Sequence, residues 1–332
     1  MKTLTLTLTL LVAIAAGAQS KYQTFWLGPN AGFGTVSAIN DSGQVLGWWP
    51  TGQVYVISPG GIWTKNIIKT NGSSLFMNNA ATIVGEGNPS NEPFYKQWEQ
   101  PPTSFGCGIN GQGAGAINQA GNVAGGCPIN AHRGQEELFL FTPPTITDIP
   151  FPHDDYPNEW VTESIGGLNN LNQIVGSWHN YSTPYSGYFY DNNSEKLTLN
   201  FNMPGAVTTY PRAINDNQEV VGNWFDQNGV MHGFYWNATA GFSDIDVAGG
   251  TATGLVGINN QSVILGGWVD ANSPPKTHYV TIVNGKPTAS INVPKSLAGS
   301  TVGLAINNVG QVVGEYQTQE GLWRGFIYTP PK

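Results

Sequence analysis

The sequence has 332 residues and a net charge of −8, and only 10% of its residues are charged. An acidic chain without basic clusters argues against nucleic acid and against anionic membrane surfaces as partners. The 43 glycines and 22 prolines are typical of many short strands joined by turns, and we find no stretch with helical periodicity.

The chain begins with the features of a secretory signal peptide. Residues 1–18 contain Lys2, an apolar stretch over 4–16 and the small-residue end Ala16-Gly17-Ala18. We expect cleavage after Ala18, which leaves residues 19–332 as a single domain in a secreted or periplasmic location. An uncleaved membrane anchor is the alternative, but the apolar stretch is short for a bilayer span. No other segment is long and apolar enough, so no membrane span is expected after the leader is removed.

A seven-fold repeat fills most of the remaining chain. Each unit has an asparagine after a large aliphatic residue, Val or Ile five positions later, and a glycine seven positions later. Consecutive apolar residues in the second strand indicate burial on both faces, and the asparagine suits a polar turn that caps the local backbone. The asparagines are Asn40, Asn78, Asn118, Asn169, Asn215, Asn259 and Asn307, and the glycines are Gly47, Gly85, Gly125, Gly176, Gly222, Gly266 and Gly314.

The spacing of the repeat predicts the fold. Successive asparagines lie 38 to 51 residues apart, and an aromatic strand and a fourth segment follow each glycine. Four strands in a period of roughly 40–45 residues are typical of a β-propeller blade. The last unit ends after its third strand at Tyr328, whereas an unassigned strand precedes the first unit at 22–27. We therefore predict an all-β, seven-bladed propeller whose N-terminal strand completes the last blade and closes the ring.

The repeat resembles a known family. The pattern I-N-[ND]-x-G-Q-V-V-G-x-W, with a later His232-Gly233-Phe234, is similar to the HAF-type extracellular repeats of exported bacterial proteins. The resemblance covers essentially the whole mature chain and implies no particular activity. His232 has a counterpart in His278, but Glu92, Ser186 and Arg324 fill the slot elsewhere, so this histidine is not an obligate catalytic group.

The best candidate site lies where the repeat is broken. If the asparagine turns form the bottom face, the longest insertion, in 151–160, and the next connection, 179–185, both lie on the top face. We expect these two loops to meet. The candidate residues are His153, Asp154, Asp155, Tyr156, Glu159, Trp160, His179, Asn180, Tyr181 and Tyr185.

Three interpretations compete for these loops. In a saccharide platform, Tyr156, Trp160, Tyr181 and Tyr185 stack on sugar faces while Asn180 and the aspartates hydrogen-bond to hydroxyls. In a catalytic or metal site, His153, Asp154, Asp155, Glu159 and His179 supply the acid, base or ligands. In the third, the loops are solvated and their aromatics cover a blade edge. No spacing of these residues matches a known metal-ligand signature, so the sequence does not assign a metal ion to the loops. No cofactor is expected.

Three further features need an assignment. Cys107 and Cys127 lie 20 residues apart and are predicted to form a disulfide, with two free buried thiols as the alternative. Arg212 lies on an innermost strand, where it either lines the channel or marks its solvated mouth. A tryptophan two residues after the repeated glycine favours packing between blades over a sugar platform. These tryptophans are Trp49, Trp178, Trp224 and Trp268.

The sequence therefore predicts an exported, non-catalytic repeat scaffold, expected to be a monomer. Its top-face loops are predicted to bind a partner, either a polysaccharide or another envelope or extracellular protein. The alternative is a polysaccharide lyase or hydrolase that uses the 151–160 loop.

Overall fold

The computed structural model of the protein describes residues 22–27, 36–49, 52–59, 62–87, 93–97, 101–104, 113–128, 136–149, 151, 161–180 and 182–331. In these ranges every regular element is a β-strand. No helix suited to crossing a bilayer occurs among them.

The strands form seven antiparallel blades, and successive strands of a blade are hydrogen-bonded neighbours. Blade 1 comprises β2 (Val36–Ile39), β3 (Val45–Trp48), β4 (Gln53–Ser58) and the first half of β5 (Ile62–Met77). Blade 2 comprises the second half of β5, β6 (Ile83–Gly87), β7 (Pro93–Lys96) and β8 (Thr103–Ser104). Blade 3 comprises β9 (Ala114–Ile117), β10 (Val123–Pro128), β11 (Glu136–Thr142) and β12 (Thr145–Ile149).

The second half of the ring is more regular. Blade 4 comprises β13 (Val161–Leu168), β14 (Gln173–Asn180), β15 (Ser186–Asp191) and β16 (Lys196–Leu199). Blade 5 comprises β17 (Thr208–Ile214), β18 (Val220–Phe225), β19 (Met231–Asn237) and β20 (Gly241–Ile245). Blade 6 comprises β21 (Gly250–Ile258), β22 (Ile264–Asp270), β23 (Thr277–Val283) and β24 (Lys286–Ile291). Blade 7 comprises β25 (Val302–Ile306), β26 (Val312–Gln317), β27 (Trp323–Tyr328) and β1 (Tyr22–Trp26).

Blades 1 and 2 differ from the predicted repeat of separate units. Strand β5 pairs with β4 as far as Lys69 and with β6 from Thr70 onward. One strand is thus the outermost of blade 1 and the innermost of blade 2, and the two blades share a single seven-stranded sheet. A register shift between Thr70 and Leu75 accompanies the passage from one blade to the next.

The N-terminal strand closes the ring, as the sequence predicts. β1 pairs antiparallel with β27, with Tyr22 opposite Tyr328. Phe25 covers Gly325 so closely that an added Cβ would lie 2.1 Å from its ring. The Tyr22 hydroxyl also accepts a hydrogen bond of 2.8 Å from the backbone N–H of Asn292 in blade 6. The first strand therefore joins the last blade and also contacts its neighbour.

The seven repeated asparagines form a closed circuit of hydrogen bonds on the bottom face. Each asparagine is at most 4% exposed. Its side-chain oxygen accepts a bond from the backbone N–H four residues later, which closes its own turn. Its side-chain nitrogen donates to the backbone oxygen of the asparagine in the next blade, and Asn307 donates back to Asn40. The predicted turn residue is therefore also the link between blades.

A second circuit lies beside the first. The residue after each asparagine donates its backbone N–H to the side-chain oxygen of the equivalent residue in the next blade, again around the whole ring. Asp, Asn and Gln all serve here because each offers a side-chain oxygen. The residues of this circuit are Asp41, Asn79, Gln119, Asn170, Asp216, Asn260 and Asn308.

The repeated glycine lies beneath a buried side chain of the third strand. In blade 5, Gly222 pairs with Phe234, and a Cβ added at Gly222 would lie 2.2 Å from the carbonyl oxygen of Tyr210 and 2.6 Å from the Phe234 ring. The glycine faces an aromatic ring in six blades and Val280 in blade 6. These partners are Tyr55, Phe94, Phe139, Tyr188, Phe234, Val280 and Phe326.

We predict that Asn215→Ala destabilises the fold by about 2–4 kcal/mol, because the variant leaves the N–H of Glu219 without its acceptor and removes one of the two hydrogen bonds to the buried carbonyl of Asn259. Urea unfolding followed by tryptophan fluorescence measures the change. Asn193→Ala, at an exposed turn position, is the matched control and should shift the midpoint little. Equal midpoints for the two variants would contradict a stabilising asparagine circuit.

We predict that Gly222→Ala costs at least about 2 kcal/mol, because the methyl group has no room beside the Tyr210 carbonyl. Gly257→Ala is the control: the nearest atom to its added Cβ is 3.7 Å away. Four other blades have alanine at this position, namely Ala38, Ala116, Ala213 and Ala305. The control should be neutral or slightly stabilising. Differential scanning calorimetry compares the two, and a tolerated Gly222→Ala would show that the close packing is not required.

Candidate functional site

The structure describes only part of the site predicted from sequence. His179, Asn180 and Tyr185 are described. The other candidate residues lie outside the described residues, so the predicted meeting of the two loops stays a prediction; they are His153, Asp154, Asp155, Tyr156, Glu159, Trp160 and Tyr181. Cys107 also lies outside, so its pairing with Cys127 on β10 stays a prediction as well.

Asn180 serves the fold of its own loop. It is 1% exposed, and its side-chain oxygen accepts hydrogen bonds from the N–H of Ser182 at 3.1 Å and the hydroxyl of Thr183 at 2.7 Å. Such a bond pattern holds a tight polar turn between two strands. Phe151, at the start of the long loop, is likewise buried and packs against Trp178 at 5.9 Å. Neither side chain is presented to a ligand.

Three rings form a continuous row on the top face, which we call the aromatic platform: His179, Tyr185 and Tyr210. The ring centroids of His179 and Tyr185 are 4.0 Å apart, and those of Tyr185 and Tyr210 are 5.1 Å apart. The backbone carbonyl of Tyr185 accepts a hydrogen bond of 3.2 Å from Thr209, which ties blade 4 to the first strand of blade 5. Tyr185 is 36% exposed, so the row is open to solvent.

Arg212 continues this row toward the next blade. Its guanidinium carbon lies 5.9 Å from the Tyr210 ring centroid. The side chain is exposed, and within the described part of the chain no carboxylate lies within 4.0 Å of it. Arg212 is the extra residue of a β-bulge, where the pairing of β17 with β18 shifts between Pro211 and Ala213. At the same position the other blades have uncharged residues, Ser37, Leu75, Gly115, Gly166, Val256 and Leu304.

A cavity of about 400 Å³ adjoins Arg212 between blades 5 and 6, and we call it the Arg212 cavity. Met231, Trp268 and Tyr279 contribute to its walls, and Arg212 is the only charged residue among those described as lining it. The amide of Asn223 fixes one wall, because its oxygen accepts a 2.6 Å hydrogen bond from the N–H of Leu255 in blade 6. The volume falls within the usual range for small-ligand sites. Sequence reasoning singled out Arg212 but missed Tyr210 and this cavity.

The phenols of this region are neutral hydrogen-bonding groups. Burial raises the pKa of Tyr210, and the positive charge of Arg212 opposes that rise only in part. Burial also raises the pKa of Tyr279 in the cavity. At neutral pH both hydroxyls therefore keep their protons and can donate or accept hydrogen bonds.

The histidines of the repeat are committed to carboxylates in their own blades. Nδ1 of His232 lies 2.7 Å from Asp246, and Nε2 of His278 lies 2.9 Å from Asp270. The hydrogen bond from His278 holds the pKa of Asp270 well below its usual range. Each imidazole also stacks on the tryptophan that follows the repeated glycine, with ring centroids 4.6 Å apart. A motif that recurs in two adjacent blades serves the scaffold more readily than a single catalytic centre.

The tryptophans pack between blades, as the sequence indicates. Trp178 is 5% exposed within a cluster that joins blades 3 and 4. Trp268 packs against the cluster shared by blades 5 and 6 and also forms part of the Arg212 cavity wall. Scaffold packing and ligand contact are therefore compatible at this position. Across the described residues, no group of three or more His, Cys, Asp or Glu side chains is arranged to hold a metal ion.

Glu219 marks a second cavity of about 390 Å³, on the bottom face, but its chemistry is structural. Its carboxylate accepts hydrogen bonds from Ser262 at 2.6 Å, from Tyr235 at 2.7 Å, and from Asn215 of the asparagine circuit. Burial raises the pKa of Glu219, and these hydrogen bonds outweigh that effect and lower it overall. The carboxylate has little capacity left to receive a ligand.

The comparisons with known proteins identify the fold. A scan against models of protein families finds no match, and a search of curated proteins finds none. Among solved structures, the chain is similar to virginiamycin B lyase from Staphylococcus aureus, with a TM-score of 0.61, 10% identity, and coverage of 93% of this chain and 99% of that one. The propeller domain of the Trilobed protease from Pyrococcus furiosus gives a TM-score of 0.58 and 9% identity, covering 91% and 95% of the two chains.

A prolyl endopeptidase is also similar, with a TM-score of 0.54 and 10% identity over 85% of this chain and 46% of that one. Identities near this level show a shared architecture and nothing about chemistry. The chain is thus a β-propeller whose function must be argued from its own surface.

We predict that Glu219 makes stability depend on acidic pH. Its folded-state pKa is lower than the value of 4.5 expected in the unfolded chain, so its contribution is present above that pH and is lost as pH falls through the folded-state pKa. The melting temperature should fall between about pH 5 and about pH 3 more steeply in the wild type than in Glu219→Gln. Glu195→Gln, at an exposed turn, should follow the wild type. Parallel profiles for all three proteins would contradict the assignment.

Proposed function

We propose that this protein is an exported, non-catalytic scaffold that binds a saccharide through its top face. The observation that carries the proposal is the aromatic platform, in which His179, Tyr185 and Tyr210 form one solvent-open row across two blades. Sugar rings present C–H faces that pack on aromatic rings, and their hydroxyls hydrogen-bond to neighbouring polar groups. The rings and hydroxyls of Tyr185 and Tyr210 can provide both contacts.

The rigidity of the platform supports binding. Tyr185 is held by the backbone bond to Thr209, and Tyr210 lies on the innermost strand of blade 5. Pre-positioned rings lose little conformational entropy when a ligand binds, which favours recognition by a preformed surface. Loops carried on a rigid scaffold are the usual location of binding residues.

The assignment as a non-catalytic protein rests on how the described ionisable groups are used. His232 and His278 repeat one scaffold contact in two adjacent blades, each bonded to a carboxylate and stacked on a tryptophan, and Glu219 accepts hydrogen bonds from three neighbouring side chains. Export is proposed from the leader sequence, and membership of the HAF-type repeat family from the repeat pattern. The predicted monomer and the disulfide between Cys107 and Cys127 belong to the same proposal. The alternative, a lyase or hydrolase that uses the 151–160 loop, differs in requiring reaction products.

We predict that Tyr185→Ala weakens saccharide binding about tenfold, equivalent to about 1.4 kcal/mol, because the central ring of the platform is lost. Isothermal titration against a panel of neutral and acidic oligosaccharides, with chromatography of each mixture for products, is the measurement. Trp26→Ala is the matched control, since Trp26 is 53% exposed on the outer strand of blade 7, away from the platform.

The outcomes separate the candidate functions. Binding that is weakened by Tyr185→Ala, unchanged by Trp26→Ala and accompanied by no products supports the proposal. Accumulation of reaction products with the wild-type protein would contradict the non-catalytic proposal and support the lyase or hydrolase alternative. An absence of binding to every member of the panel would overturn it and favour a protein partner.

A further inference from the structure

We propose that the ligand is an acidic saccharide, a chain containing uronic acid, and that Arg212 binds its carboxylate at the mouth of the Arg212 cavity. This inference rests on the proposed saccharide function and adds the charge of the ligand. It depends on three features of the Arg212 guanidinium: its position in the repeat, the lack of an ion pair within the described part of the chain, and the uncharged residues around it.

The scaffold does not require a cation at position 212. The equivalent residues of the other six blades carry no charge, and two of them are glycines. Six blades thus form the ring without an arginine here. Arg212 also forms no ion pair within the described part of the chain. A structural role therefore does not account for this side chain.

The cation beside the Arg212 cavity favours an anion locally, although the protein as a whole is acidic. The protein carries a net charge of −8, and the top-face carboxylates Asp226, Asp246 and Asp270 lie near histidines of their own blades. Arg212 forms an ion pair with none of them, and it lies beside a cavity whose other described lining residues are uncharged. An unpaired guanidinium presents a planar fork of donors that matches a carboxylate with two parallel hydrogen bonds.

The geometry connects this charge to the platform. Arg212 lies 5.9 Å from the ring of Tyr210 on one side, and Met231 and Trp268 line the cavity on its other side. A sugar ring stacked on Tyr185 and Tyr210 therefore has a cation next to it and an uncharged cavity beyond. A uronate offers a flat apolar face, hydroxyls and one carboxylate, which are the three features that this surface can bind.

The test compares charged and uncharged forms of the same sugars. The probes are oligogalacturonate, oligomannuronate and glucuronate-containing oligosaccharides, each beside its methyl ester, in about 0.15 M salt to screen the overall negative charge. We expect wild-type protein to bind at least one acid about tenfold more tightly than its ester. Arg212→Gln should abolish that preference, because it should weaken binding of the acid much more than binding of the ester. Arg212→Lys should retain only part of the preference, because it keeps the charge but loses the planar fork.

Controls separate this inference from the proposed function. Lys286→Gln removes one positive charge from an exposed position on β24 and should leave the preference intact. If Tyr185→Ala weakens binding but Arg212→Gln changes neither acid nor ester affinity, the acidic ligand is overturned and the platform stands. If no probe, acid or ester, binds to the wild type, both proposals fail. Equally tight binding of poly-L-glutamate, lost in Arg212→Gln, would overturn the saccharide in favour of an acidic peptide.

Discussion

The closed circuit of hydrogen bonds through the seven repeated asparagines holds the ring of blades together. Each buried asparagine closes its own turn through its side-chain oxygen. Its side-chain nitrogen donates a hydrogen bond to the backbone oxygen of the asparagine in the next blade. The circuit is complete only when Asn307 donates to the backbone oxygen of Asn40. Every blade therefore supplies a hydrogen-bond partner to a buried polar group of its neighbour. Because an unpaired buried amide or carbonyl is costly, a ring with a missing or displaced blade is disfavoured. Pairing of β1 with β27 adds a second closure, made from backbone bonds.

This arrangement divides the molecule into a fixed face and a variable one. On the bottom face both circuits use the polar groups of the turns, and even the carboxylate of Glu219 is taken up by neighbouring donors. Among the described connections of the top face there is no such circuit, and these connections differ in length and composition. Arg212 illustrates the freedom that remains: it occupies a bulge position that the fold fills elsewhere with small or aliphatic residues. Departures from the repeat therefore indicate function here better than the repeat itself does.

The electrostatics of the top face are consistent with the proposed binding function. His232 and His278 are tied to carboxylates and stacked on tryptophans, so each is held in one orientation by its own blade. The phenols of Tyr210 and Tyr279 are kept neutral by burial, and Arg212 is a cation without a carboxylate partner in the described part of the chain. Such groups can stack, donate hydrogen bonds and attract an anion.

The repeat, the number of blades, the strand that closes the ring and the turn role of the asparagine could be predicted from the residues, because they follow from periodicity and local backbone preference. It could not show that each asparagine also bonds to the next blade, that β5 serves two blades, or that Asn180 is buried within its own loop. Nor could it place Tyr185 against Tyr210 and Arg212, which belong to a neighbouring blade. Apart from the turn of Asn180, these contacts join neighbouring blades. They appear only in the folded ring, because its packing, and not distance along the chain, decides which side chains meet.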